Sequence, residues 1–320
     1  MPLSRCLMPI VAVGIAVMST GIVYGQDYPR KPIRLIANSA GGGNDFVARL
    51  IAQGITAPMG QSVVVDNRSS DVPGELLLHL PADGYTLLVA GSSHWLLPYL
   101  RDDCPFDPVK DFAPITLAVW LPNLLVVHAS VPATSVKELI ALAKAKPGVL
   151  NYGAGSAGSS NQLAAELFKS MAGVNVVHIA YKGSSAALID LLGGRVQIMF
   201  ANAASVSPHI KTERLRALAV TSAQPSALVP GLPTIAASGL PGYEAITMYG
   251  VFAPAATPPA IISRLNQEIV KALRRPDIKE KFFGAGVETV GSPPDQLSAA
   301  MKSEMTVMGK LIRDAGIRDE

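Results

Sequence analysis

Short apolar runs alternate with helical segments along almost the whole chain. Ile33–Ala37 reads as a strand. Phe46–Ala57 then carries Phe46, Val47, Leu50, Ile51 and Ile55 at the spacing of one helical face. Ser62–Asp66 predicts a second strand, Gly74–Leu80 a short helix, and Thr86–Ala90, after the Asp83-Gly84 turn, a third strand. Ile115–Val119 and Leu124–Val127 read as two further strands broken by Leu121-Pro122-Asn123. Apolar strands separated by helices imply mainly parallel sheets covered on both faces.

A second series of β/α units follows. Ser135 with Glu138 has the spacing of a capping box, and Pro147-Gly148 stops the helix that it opens. The pattern then predicts a helix over Asn161–Ala172, a strand over Val176–Ala180 and a helix over Ala186–Leu192. Val196–Phe200, a helix around Ser205–Thr212 and Leu215–Thr221 complete this series. Pro and Gly dominate from Gln224 to Gly242, and Ile246–Ala253 reads as a return strand. Pro258 suits a helix N-terminus, with the helix reaching about Arg274. A strand over Val287–Val290 and a helix from Pro294 to about Ala315 end the pattern. The middle series is flanked by segments that fold together, so two α/β domains joined by two crossing strands are expected. The first domain takes residues 26–123 and 249–320 and the second 124–248.

Residues 1–25 read as a signal peptide. Arg5 is the positive segment, Leu7 to Met18 the apolar one, and cleavage is expected near Gly25/Gln26, giving an exported, periplasmic protein. The apolar stretch of about 12 residues is short of the roughly 20 that span a bilayer. The formal charge of +3, with no run of Lys or Arg, excludes a nucleic-acid surface. Of the two cysteines only Cys104 survives cleavage, so no internal disulfide is expected. His79, His94, His128, His178 and His209 are scattered singly, no Cys/His pair has zinc spacing, and neither a metal nor a cofactor is expected.

Three glycine- or serine-rich turns lead from strand to helix: Ala40-Gly41-Gly42-Gly43, Ser156-Ala157-Gly158-Ser159-Ser160 and Tyr181-Lys182-Gly183-Ser184. Such turns let backbone approach a ligand, and the first amides of the helices are free to meet an anion. Each has a plainer account. The glycines serve the turn itself, Asp45 complements the helix dipole, Ser159 or Ser160 is an N-cap, and Lys182 is a solvated charge.

Several blocks carry a resemblance: Lys31-Pro32-Ile33-Arg34-Leu35-Ile36, Asp83-Gly84-Tyr85-Thr86-Leu87-Leu88, Asp107-Pro108-Val109-Lys110-Asp111-Phe112-Ala113-Pro114, Asp190-Leu191-Leu192-Gly193-Gly194 and Leu215-Arg216-Ala217-Leu218-Ala219-Val220-Thr221-Ser222. In this order they resemble the solute receptors of tripartite tricarboxylate transporters, the Bug or TctC family. The resemblance implies a two-domain, Venus-flytrap periplasmic binding protein, not an enzyme. Such a protein, a monomer, closes on a small carboxylate and hands it to membrane permease subunits. Carried over to this sequence, it places the ligand between Ser39, Ala40, Gly41, Gly42, Gly43 and Asp45 on one side and Ser156, Ala157, Gly158, Ser159, Ser160, Tyr181, Lys182, Gly183 and Ser184 on the other. Asn202, after the Val196–Phe200 strand, and Ser92 and Ser93, after the third strand, are further candidates.

The chain also departs from the family pattern. Ala37-Asn38-Ser39-Ala40 replaces Pro-Phe-Ala-Pro, and Asn67-Arg68-Ser69-Ser70-Asp71-Val72-Pro73 replaces a glycine-rich turn. With Asp71 or Glu75 in the cleft, an amine, an amino acid or a neutral ligand would be favoured over a plain anion. Two enzyme readings compete. Gly41, Gly43 and Asp66 mimic a dinucleotide fingerprint, although Phe46 stands at its third glycine. Ser156 with Asp190 and His209 follows the order of a hydrolase triad without its leading glycine.

Overall fold

The computed structural model describes residues 28–38, 40–68, 73–155 and 158–318. In chain order the elements are β1 (Ile33–Ala37), α1 (Gly43–Met59), β2 (Val63–Asn67), α2 (Pro73–Leu78), β3 (Thr86–Gly91), α3 (Ser92–Leu100) and β4 (Phe112–His128). Next are α4 (Val136–Ala145), β5 (Asn151–Ala154), α5 (Ser160–Ala172), β6 (Val177–Ala180), α6 (Ser184–Leu192), β7 (Ile198–Asn202), α7 (Ala203–Lys211) and β8 (Leu215–Val220). The chain returns through β9 (Ile246–Pro254) to α8 (Pro259–Arg274), α9 (Pro276–Gly284), β10 (Glu288–Thr289) and α10 (Pro294–Asp314).

Local chemistry accounts for the boundaries. The Glu138 N–H donates to the N-cap Ser135 Oγ at 3.2 Å, and Glu138 Oε2 reaches back one residue past the cap to accept from the Thr134 N–H at 2.6 Å, a variant of the capping box. Left-handed glycines end α1 at Gly60 (φ 65°) and α5 at Gly173 (φ 61°). Pro259 and Pro294 open α8 and α10, where their missing N–H groups cost nothing.

The strands order β2-β1-β3-β9-β4-β7-β5-β6, with β10 and β8 also paired to β4. Pairing is parallel among β1, β2 and β3 and among β5, β6 and β7. It is antiparallel wherever β4 or β9 takes part, so the sheets are mixed, not mostly parallel as the alternating pattern suggested. The expected break at Leu121-Pro122-Asn123 also does not occur, and β4 runs through it. Phe112 to Pro122 face β9, and from Asn123 onward the strand pairs with β7 and β8. Pro122, which has no N–H to donate, falls where one ladder hands over to the other. One strand is thus shared by both halves of the molecule.

Two helices are not legible in the sequence pattern. In α3, nine residues with Pro98 inside give little periodicity, and α9 follows α8 with only Arg275 between them. Their burial explains them: Trp95 and Leu96 of α3 and Ile278 and Phe282 of α9 are in the core. The apolar core has three parts. One lies under α1, α8 and α9, and one under α6 and α7. The largest joins the halves through Trp95, Leu100, Leu163, Phe168, Phe252 and Met308. The long α10 packs against α3, α5 and β4 and so backs both halves.

Candidate functional site

A cavity of about 220 Å³ opens where α1, α3 and α5 begin. Asn44 reaches it from α1, Ser92 and Ser93 from α3, and Gly158, Ser159 and Ser160 from the start of α5. Leu96, Leu163, Ile246 and Met308 supply apolar wall, and Tyr249 and Glu304 add polar tips. The volume is below the range of about 300–1,000 Å³ of drug-sized sites, so the cavity suits a small metabolite.

The N-caps of the three helices, Gly42, Gly91 and Ser159, make no side-chain capping bond. Their first amides keep their donors and the partial positive charge of the helix ends. Ser159 Oγ is buried with no partner. Among the described residues no Lys, Arg or His side chain lines the cavity. What attraction it holds for an anion comes from the helix starts.

Close packing explains two glycines. A Cβ at Gly43 would stand 2.1 Å from Tyr249 Oη, and one at Gly91 2.9 Å from the same ring. Both glycines therefore make room for the tyrosine. Gly158 lies against Leu100, where a Cβ would come within 2.7 Å, and its φ of 71° disfavours side chains independently. The start of α5 is thereby pressed onto the end of α3.

Of the residues singled out in sequence, the cavity gathers Ser92, Gly158, Ser159 and Ser160, with Ser93 beside them. Ala40, Gly41, Gly42 and Gly43 are exposed and do not line it. Asp45 is only 4 % exposed. It accepts from the Gly41 N–H at 2.8 Å and Asn67 Nδ2 at 2.9 Å, and pairs with Arg49 at 2.9 Å. Burial alone would raise its pKa, but these donors outweigh burial and hold it below the usual carboxylate value. Asp45 thus secures the first glycine turn from within. The Gly158 N–H is taken by Gln162 Oε1 at 2.8 Å.

The third turn stands outside the cavity. The Tyr181 hydroxyl donates to Asp190 at 2.8 Å, Lys182 is exposed, and Gly183 precedes α6. Ser184 Oγ donates to Asn161 Oδ1 at 3.1 Å, while Asn161 donates to the Phe200 carbonyl, tying α6, α5 and β7 together. Asn202 caps α7, accepting from the Ala204 N–H at 2.8 Å. Glu75 is exposed and absent from the cavity wall. Ser39, Ser156, Ala157, Asp71 and the leader through Gln26 lie outside the described residues.

The residue that sequence reasoning missed is Glu304 of α10. Its Oε2 accepts from Trp95 Nε1 at 2.7 Å and from Ser92 Oγ at 3.0 Å, and Ser92 Oγ in turn accepts from the Met248 N–H at 3.1 Å. Burial pushes its pKa up to about 7, against these two donors and with help from Glu244. The signal was present: Leu297, Met301, Met308 and Leu311 form the buried stripe of α10, and Glu304 interrupts it in register.

The groups of the enzyme readings are engaged elsewhere. Asp66 is bonded to Arg68 at 2.7 Å, and Asp190 is shared between Tyr181 and Arg195. His209, the base of the hydrolase reading, sits in the last turn of α7. Residues 47–317 match the family model of the tripartite tricarboxylate transporter family receptor, TctC. The chain belongs to this family. It is 36 % identical over 313 residues to a UPF0065 protein from the tcbD-tcbE intergenic region of Pseudomonas sp. strain P51, covering 96 % of this chain and 93 % of that one. It is 34 % identical to protein BugT of Bordetella pertussis, covering 97 % and 98 %. A solved R. palustris structure with adipate superposes with a TM-score of 0.74 at 35 % identity, covering 91 % of this chain and 99 % of that one. TctC receptors are periplasmic solute-binding proteins, not enzymes, and their two-domain α/β architecture is the one described above. Among the described residues no helix is long and apolar enough to cross a membrane.

Proposed function

We propose that this chain captures a small carboxylate-bearing metabolite in the cavity between its halves and delivers it to the membrane permease subunits of a tripartite transporter. It works as a periplasmic monomer after cleavage near Gly25/Gln26, with residues 26–123 and 249–320 as one jaw and 124–248 as the other. The observation that carries this reading is the meeting of uncapped helix starts and the unpartnered Ser159 Oγ on a cavity that has no basic side chain among the described residues. The turns at Ala40–Gly43 and Tyr181–Ser184, which do not line the cavity, are contacts that domain closure would bring in.

Magnitudes support it. A helix N-terminus contributes roughly 0.3–1 kcal/mol to an anion, and each hydrogen bond to a charged group about 1.5–3 kcal/mol. A few such contacts reach micromolar affinity, about 8 kcal/mol, once association costs are met. The R. palustris relative with adipate points to the same ligand chemistry. The test is calorimetry and thermal shift of the mature protein against mono-, di- and tricarboxylates. A ligand at 100 times its dissociation constant stabilises by about 2.7 kcal/mol. If no carboxylate produces heat or a shift, the reading fails. Intact mass of the exported protein checks the cleavage site.

A further inference from the structure

We infer that Glu304 is a second, acidic pole of the cavity, selecting carboxylates that carry an ammonium group over dicarboxylates of the same length. This rests on the proposed solute-binding function and narrows its ligand. Glu304 faces the cavity at the start of α3, and a neighbouring cavity of about 310 Å³ shares Glu304, Ile246 and Met308 with it. The carboxyl group therefore stands between two hollows and not against solid core.

Only Oε2 of Glu304 is engaged, by Ser92 and Trp95, and Oε1 takes part in no hydrogen bond among the described residues. An open acceptor on a half-buried carboxylate is a place for a donor. A ligand ammonium supplies one together with the compensating charge.

The charges around the cavity favour the same class. Among the described residues neither hollow has a Lys, Arg or His in its wall. A second ligand carboxylate would meet no cation and would face Glu304. Glu304 bonds Ser92 and Trp95 of α3, and the other polar groups in the walls of the two hollows are Asn44, Ser93, Ser159, Ser160, Thr247, Tyr249, Ser303, Trp120 and Glu244. Of these only Glu244 brings charge, and it is negative. The Tyr249 phenol stays neutral, its pKa raised by burial. A zwitterion places its carboxylate at the helix starts of α5 and α1 and its ammonium on the acidic side formed by Glu304 and Glu244.

The inference also sets the sign of the pH response. An ammonium group binds the ionised form of Glu304, and a second carboxylate binds the protonated form. Affinity for the first should rise as pH passes upward through about 7, and affinity for the second should fall.

The experiment is calorimetry of the mature protein with a homologous series of ω-amino carboxylates. Each is paired with the dicarboxylate and monocarboxylate of equal chain length (δ-aminovalerate, glutarate and valerate, for example), on both sides of pH 7. The expected result is a preference of about tenfold or more for the amino carboxylate above pH 7, shrinking below it. Glu304→Gln keeps an acceptor for Ser92 and Trp95 and should abolish both the preference and its pH dependence, and Glu304→Asp should restore part of each. A dicarboxylate bound as well as its amino partner, with no pH crossover in the unaltered protein, overturns the inference and leaves the solute-binding reading standing. That outcome needs no variant. Absence of binding by every carboxylate in the series overturns both.

Discussion

The turn after β1 and the turn before α5 look alike in sequence, each small-residue-rich and each opening a helix, yet they are completed differently. In the first, Asp45 closes on its own turn, absorbing the Gly41 amide, Asn67 and Arg49. In the second, Ser159 Oγ is buried without a partner and faces the cavity. In both, a side chain four residues on takes a glycine amide, Asp45 for Gly41 and Gln162 for Gly158, but only the second turn keeps a buried hydroxyl for a ligand to satisfy. Glycine content does not distinguish them, whereas the accounting of donors and acceptors does.

The comparison breaks most visibly at Asp45. Asp45→Ala leaves the Gly41 amide and Asn67 without their acceptor and releases Arg49. It should cost about 3 kcal/mol of stability, read as a lower urea midpoint at unchanged slope. If the variant is as stable as the parent while ligand affinity collapses, Asp45 belongs to the ligand and the contrast between the turns disappears.

Ser159→Ala is the complementary change. Removing an unpartnered buried hydroxyl should leave the melting temperature unchanged or slightly raised. A carboxylate ligand should lose about 1.5–3 kcal/mol, roughly 10- to 150-fold in Kd. A stability loss with unaltered Kd would show that the hydroxyl serves the fold.

The glycines sharpen the same contrast at a smaller scale. Gly43→Ala drives a methyl into the Tyr249 hydroxyl and should cost about 1–3 kcal/mol, with weaker ligand binding because Tyr249 lines the cavity. Gly41→Ala meets nothing within 4 Å and carries only the strain of a φ of 82°, about 1 kcal/mol. Equal effects at the two positions would remove Tyr249 from the explanation.

Much of this arrangement is legible in the order of residues alone. The amphipathic α8 and α10 show in their spacing, and the Ser135/Glu138 box marks the start of α4 because its chemistry is local. The family blocks point to two halves with a cleft between them. What escapes depends on distant partners. Pro122 reads as a break because its tolerance depends on the handover between β9 and the β7/β8 pair. The short α3 is held by Trp95 and Leu96 in the core, not by its own periodicity. An acid altering ligand choice was expected at Asp71 or Glu75. The structure leaves Glu75 at the surface and directs attention to Glu304, which no nearby motif announces. Only its interruption of the stripe Leu297, Met301, Met308 and Leu311 could have marked it.

Asp45 and Glu304 carry the comparison into a pH profile. Asp45 has a lowered pKa, so the native state binds its proton less readily than the unfolded chain; its stabilisation is present above the ordinary Asp value of 3.8 and is lost as pH falls. Glu304 has a raised one, so from 4.5 to about 7 the native state holds a proton that the unfolded chain has released. Its contribution is complete below that window and is lost as pH rises through it, with a slope of at most about 1.4 kcal/mol per pH unit for one proton. Urea midpoints of the ligand-free protein across this range should fall from acid toward neutral, and Glu304→Gln should flatten that fall while leaving the steep loss below pH 4 intact. Asp45→Asn should do the reverse. A single substitution that flattened both limbs would mean that the two acids titrate as one network, and the two turns would then have to be treated as a single site.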